Sequence, residues 1–133
     1  MKRVVIDTNV IVSALLKPKG PPARILRLVL QGDLVLILNE QILMEYENVL
    51  ARPKFSLDSD LVRVVLEKLK SGAIEAPALS SPLSLPDPDD EPFLEAALAG
   101  HADVLVTGNK RHYPERDCYG QAVRSPKEFL NEL

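Results

Sequence analysis

An aspartate closes the first apolar run of the chain, in Val4-Val5-Ile6-Asp7-Thr8-Asn9, and four more carboxylates crowd into Asp87-Pro88-Asp89-Asp90-Glu91. A third polar cluster ends the run Val104-Leu105-Val106-Thr107-Gly108-Asn109. Each cluster stands where a β-like run stops or a helix begins. In an open α/β sheet such places converge on one crevice at the carboxyl ends of the strands. Carboxylates gathered there repel one another unless a cation intervenes. The chemistry to expect is therefore that of a magnesium or manganese site. Its candidate ligands are Asp7, the acids of the Asp87–Glu91 run and Glu45.

Glu45 earns its place by position. In a helix starting near Glu40, residues Ile42, Tyr46 and Val49 share one apolar face, and Glu45 lies at the edge of that face. It can snorkel outward, pair with a base or project into a cleft. Asn9 and Thr8 could orient the Asp7 carboxylate by hydrogen bonding. Thr107 adds a hydroxyl, Gly108 allows close approach, and Asn109 adds an amide oxygen. Lys110, Arg111, His112 and Arg116 form the local basic patch, suited to a phosphate backbone. His101 and His112 lack zinc-pair spacing and have no Cys/His partners, which argues against a zinc site. Plain structural roles compete with several of these readings. Asp7 could be a turn or cap aspartate, the Asp87–Glu91 run a solvated loop, and Thr107-Gly108-Asn109 an ordinary turn.

The elements that must carry these residues follow from periodicity. Residues 2–6, 34–38 and 103–107 read as strands apolar on both faces, as buried parallel strands are. Helices are expected over residues 8–16, 23–31 with Gly32 as its stop, 39–52 with Asn39 as cap, 58–69 ended by Gly72, and 93–99 ended by Gly100. Residues 77–88 form a Pro/Ser/Leu-rich connector. Ser125-Pro126-Lys127-Glu128 is a capping box that opens a final helix. Strands alternating with helices predict a three-layer α/β/α sandwich around a central parallel sheet. We expect one domain over residues 1–133, with no repeats.

Bulk properties narrow the functional class. The chain has 133 residues, a formal net charge of −3, 46% hydrophobic and 26% charged residues. That size supports one core, and the composition is ordinary for a water-soluble globular protein. The negative balance gives no overall field for nucleic acid, so any such contact must come from local patches or bound metal. The single cysteine, Cys118, cannot form an internal disulfide and fits a reducing cytoplasm. No secretory segment or run of ~20 apolar residues is present, so no membrane association is expected.

Taken in order, Asp7-Thr8-Asn9, Glu45, the acids from Asp87 to Asp90 leading into Phe93-Leu94-Glu95-Ala96-Ala97, and Val106-Thr107-Gly108-Asn109 resemble the PIN-domain family. The likeness is to its small prokaryotic VapC-like members, the toxin ribonucleases of toxin–antitoxin pairs. It implies an α/β/α fold and an Mg²⁺- or Mn²⁺-dependent endoribonuclease acting on single-stranded RNA. By the same resemblance Asp7, Glu45 and Asp90 are the first three acids of the family pattern, with Asp87 a near alternative for the third. Asn109 stands where the family often has a fourth acid, a departure that removes one negative charge and for which Asp103 or Asp87 could compensate. Asp7 and Asp90 would hold the principal ion, Glu45 a second ion or the attacking water, and Asn109 would bond a water or a scissile phosphate oxygen. Lys110 and Arg111 would hold RNA. A small antitoxin and a homodimer are the implied partners, with residues 25–30 or 42–50 as candidate surfaces.

Two phosphoryl-transfer families also begin with an aspartate after the first strand. The haloacid dehalogenase type needs a second Asp where Asn9 stands, and a receiver-type phosphoacceptor needs an acidic pair at that strand end. A metal-binding module with little turnover, holding RNA or a partner, is the alternative to a nuclease.

Overall fold

The computed structural model describes residues 1–79 and 81–133. Five parallel strands, β1 (Arg3–Ile6), β2 (Val35–Leu38), β3 (Ile74–Glu75), β4 (Val104–Val106) and β5 (Val123–Arg124), form one sheet in the order β3-β2-β1-β4-β5. Among the described residues six α-helices accompany them: α1 (Thr8–Leu16), α2 (Pro21–Leu30), α3 (Glu40–Leu50), α4 (Ser59–Gly72), α5 (Glu91–Ala99) and α6 (Pro126–Asn131). The sheet grows from β1 toward β3 on one side, and the chain then returns past β1 to β4. Right-handed crossovers place the helices before and after that reversal on opposite faces. The result is an α/β/α sandwich.

The three long apolar runs become the inner strands because they can bury both faces. Val4, Val5, Leu36, Ile37, Leu105 and Val106 are all fully buried. β1 is central and pairs with β4 through Val4↔Val104, Val5↔Leu105 and Ile6↔Val106, so Asp7 and Thr107 leave the sheet side by side. The Asp7 amide continues the ladder to the Val106 carbonyl at 2.9 Å. The reversal of direction falls between β1 and β4, and an open α/β sheet puts its binding crevice at such a point.

Helix ends obey their local chemistry. Asn39 caps α3 by accepting from the Ile42 amide at 2.8 Å, while its side-chain amide donates to the Pro92 carbonyl at 3.0 Å. That second bond ties the start of α3 to the start of α5. Ser125 and Glu128 make both bonds of the expected capping box. Gly100 ends α5 because a Cβ there would lie 2.8 Å from both the Ala96 carbonyl oxygen and Ile37 Cγ2.

Three features differ from expectation. α2 begins at Pro21, two residues earlier than expected, because proline is tolerated where the helix needs no amide donor. α5 begins at Glu91, two residues early, continuing a single 3-10 turn over Pro88–Asp90. β3 and β5 are two-residue strands without apolar runs of their own, held by pairing to Ile37-Leu38 and Leu105-Val106. The connector reading of residues 77–88 holds up to the turn at Pro88 for its described members; Ser80 lies outside the described residues. Among the described residues no helix is long and apolar enough to cross a membrane.

Candidate active site

Asp7 is the centre of the crevice. Extended backbone at the end of β1 makes it the N-cap of α1, with Oδ1 accepting from the Thr8 amide at 2.8 Å. Its Oδ2 accepts from the Thr107 hydroxyl at 2.8 Å and from the Tyr113 hydroxyl at 3.1 Å. The carboxylate is buried. Burial raises its pKa, and the Thr107 and Tyr113 hydroxyls and the Thr8 amide oppose that rise without cancelling it. Tyr113 is pushed up in turn, by its own burial and then by the charges of Asp7 and Asp90. It stays a neutral donor.

Glu45 reaches the same place from α3. Its Oε2 accepts a hydrogen bond from the Thr8 hydroxyl. Burial raises its pKa first, the Thr8 bond offsets part, and the charges of Asp7 and Asp89 raise it further. One helical position on, fully buried Tyr46 donates its hydroxyl to the Ile6 carbonyl, which pins α3 to the end of β1. Glu45 and Asp7 are thus held to one another through Thr8 on one side and Tyr46 on the other.

The acidic run supplies the facing wall. Asp87 caps the 3-10 turn, accepting from the Asp89 amide at 2.9 Å. Asp90 is 8% exposed at the head of α5, where negative charge is favoured by the helix dipole. Its pKa is nevertheless raised to about 6, by burial first and then by the charge of Asp7. His112 Nδ1 lies 2.9 Å from Asp90 Oδ2. The ring N–H is not aligned to bond, and that buried oxygen has no hydrogen-bond donor among the described residues.

The predicted residues divide cleanly by place. Asp7, Glu45, Asp90, Asp87 and Thr107 come together. Asn9 does not touch Asp7; its Oδ1 takes the Gly108 amide at 3.0 Å and so fastens the loop after β4 onto α1. A Cβ on Gly108 would come within 3.2 Å of that oxygen, which explains the glycine. Thr8 supports Asp7 only through its backbone and spends its hydroxyl on Glu45. Asn109 stands at the rim, its amide donating to Thr107 Oγ1 at 3.1 Å. Lys110 is drawn to Glu128 of α6 at 3.0 Å, whereas Arg111 is exposed with no ion-pair partner among the described residues.

Asp103 cannot compensate for Asn109. It accepts from the Arg3 amide at 2.8 Å where β1 and β4 begin, the opposite end of the sheet. Sequence reasoning missed Tyr113 as a holder of Asp7 and His112 as a neighbour of Asp90. The signal was their place in the loop directly after Asn109, but the path of that loop is not written in any periodicity.

This donor set fits a divalent cation. Burial raises the pKa values of Asp7, Glu45 and Asp90, the charge of Asp7 adds to the rise at Glu45 and Asp90, and a buried Asp90 oxygen lacks a hydrogen-bond donor among the described residues. Asp87, Asp90 and His112 each offer a ligand atom within 4.8 Å of the others. Asp7 and Glu45 are not part of that tight cluster, but the charge of Asp7 reaches both Asp90 and Glu45. Hard oxygen donors of this kind suit Mg²⁺ or Mn²⁺.

The parallel five-stranded sheet and its acid-lined crevice define an α/β/α protein with its candidate site at the carboxyl ends of the strands. The sequence matches the PIN domain family over residues 3–111, and the chain belongs to that family. Members are generally nucleases that use divalent metal. The chain is 28% identical to the uncharacterized protein MJ1680 of Methanocaldococcus jannaschii, over 98% of this chain and 91% of that protein. Its fold is similar to the crystal structure of VapBC2 from Rickettsia felis bound to a DNA fragment from their promoter, with a TM-score of 0.61. That likeness covers 92% of this chain and 98% of the other at 17% identity.

Proposed function

We propose that this protein is a metal-dependent endoribonuclease that hydrolyses phosphodiester bonds of single-stranded RNA. The observation that carries the reading is the buried Asp90 oxygen without a donor, facing a crevice in which Asp7, Glu45 and Asp90 all have raised pKa values. Asp7 and Asp90 hold the principal cation, Mg²⁺ or Mn²⁺, with Asp87 beside them. When bound, such an ion relieves charge on the phosphoryl and leaving oxygens and makes a nearby water more acidic. Glu45, made more basic by burial and by the charge of Asp7 and steadied in its ionised form by the Thr8 bond, orients the attacking water or takes its proton. Thr107 and Tyr113 keep Asp7 ionised and fixed in direction. Asn109 bonds a phosphate oxygen from the rim, and Arg111, with Lys110 next to it, holds the RNA backbone.

The biological setting proposed is the toxin half of a VapC-like pair, in the cytoplasm, with a small antitoxin as partner. The fold likeness to VapBC2 supports it. A homodimer accompanies that reading. Within residues 25–30 and 42–50, Ile25, Leu26, Ile42 and Leu50 are core and Met44 is exposed, so the dimer surface would draw on Met44 together with exposed Leu61 and Val64.

The test is cleavage of a labelled single-stranded RNA with Mg²⁺ or Mn²⁺ by wild type, Asp7→Asn and Asp90→Asn, each with an EDTA control. Metal-dependent cutting lost in both variants supports the assignment. Equal cutting by all three proteins refutes it. Asn109 in place of an acid favours one second reading, a metal- and RNA-binding module with little turnover. Metal binding without cutting would select it.

A further inference from the structure

The loop that carries Asn109 does more than lose an acid. It turns directly into a 3-10 segment, Lys110–His112, in which the His112 amide bonds the Asn109 carbonyl at 3.2 Å. That turn brings an imidazole to the acidic wall. We infer that His112 is a metal ligand alongside Asp87 and Asp90, and that the site therefore selects Mn²⁺ over Mg²⁺. The inference deepens the nuclease reading and rests on its metal centre.

Three observations carry it. First, Nδ1 of His112 and Oδ2 of Asp90 are 2.9 Å apart. Two ligands on adjacent corners of an octahedron, each about 2.1 Å from the ion, stand about 3.0 Å apart. Second, an ordinary ion pair would point the ring N–H at the carboxylate. Here the buried Asp90 Oδ2 receives no aligned hydrogen bond among the described residues, so Nδ1 and Oδ2 face one space without a well-formed bond between them. Third, Asp87 closes the set, its ligand atom lying within 4.8 Å of both others, close to the span of opposite corners of one shell. Asp87 Oδ1 accepts from the Asp89 amide, which fixes the carboxylate at the head of the turn.

The consequence for the ion follows from ligand softness. Mg²⁺ keeps oxygen ligands and water and gains little from imidazole. Nitrogen donors favour first-row transition ions, and Mn²⁺ is the one that best retains octahedral, oxygen-rich coordination. The imidazole of His112 thus brings to the acidic wall a donor that Mn²⁺ accepts more readily than Mg²⁺ does. His112 is half-exposed, so turning its ring to the ion costs little packing.

The test reads the ligand itself rather than cleavage. Wild-type protein loaded with Mn²⁺ is examined by pulsed electron paramagnetic resonance, once with natural histidine and once with ¹⁵N-histidine. We expect a ¹⁴N modulation of the manganese signal that is replaced by a ¹⁵N modulation in the labelled sample and is absent in His112→Gln. In parallel, the Mn²⁺-to-Mg²⁺ affinity ratio, from equilibrium titration of each ion, falls by about tenfold or more in His112→Gln, as expected for loss of a donor at a metal site. Mn²⁺ that binds wild type with no histidine coupling overturns the inference and leaves the nuclease reading standing. An unchanged affinity ratio does the same. Failure of either ion to bind wild type overturns both.

Discussion

Asp90 is held in its charged form against its own preference, and removing that charge should make the metal-free protein more stable. A carboxyl carried from 3.8 to about 6 in the folded state is disfavoured at neutral pH by at most about 3 kcal/mol, at about 1.4 kcal/mol per pH unit. Water at the mouth of the crevice screens part of this, so we take about half, ~1.5 kcal/mol, as the working figure. The sign follows from linkage. The folded pKa lies above the unfolded one, so the penalty is absent below 3.8, grows between 3.8 and about 6, and is complete above that. Asp90→Asn removes it and leaves a neutral amide facing His112. In EDTA at pH 7.5 the variant should melt about 5 °C higher than wild type. At pH 4.5 the gain should shrink to roughly a third. Adding Mn²⁺ should reverse the order by stabilising wild type alone. The assay is thermal and urea unfolding of both proteins across that pH range. A variant less stable than wild type at pH 7.5 in EDTA, or a difference that does not change with pH, would refute the reasoning.

Two further perturbations probe the frame and the rim. Gly100→Ala forces a methyl against the Ala96 carbonyl and Ile37 and should cost about 1–3 kcal/mol; an unchanged urea midpoint would show that α5 can slide away from β2. Arg111→Ala should weaken binding of single-stranded RNA, measured without metal, and reduce the slope of log affinity against log salt by about 0.7. An identical slope would place the RNA elsewhere on the surface.

Legibility from sequence ended where periodicity ended. The inner strands announced themselves because a strand buried on both faces is a continuous apolar run, and Asn39 and Ser125 announced helix starts because few other side chains can cap. β3 and β5 could not be seen. Ile74-Glu75 and Val123-Arg124 are strands only because a neighbour offers free backbone groups, which is a property of the assembled sheet. Asp7 and Thr107 were legible as strand-end residues, and their adjacency followed once β1 and β4 paired. Their companions were not, since Tyr113 reaches Asp7 and His112 reaches Asp90 by the course of an irregular loop. Asn9 shows the same limit in reverse: its type suggested support for Asp7, and the fold uses it to hold Gly108.

The holders of Asp7 come from far along the chain, and this sets a clock on the ribosome. Thr107 is 100 residues and Tyr113 is 106 residues downstream of the carboxylate they grip. A nascent chain that has exposed β1, β2 and α3 carries Asp7 and Glu45 but neither hydroxyl, nor β4 to align them. At about 5–20 residues per second, Asp7 waits on the order of 5–20 s before its partners exist. Throughout synthesis of its first hundred residues, the polypeptide that encodes this site cannot yet possess it.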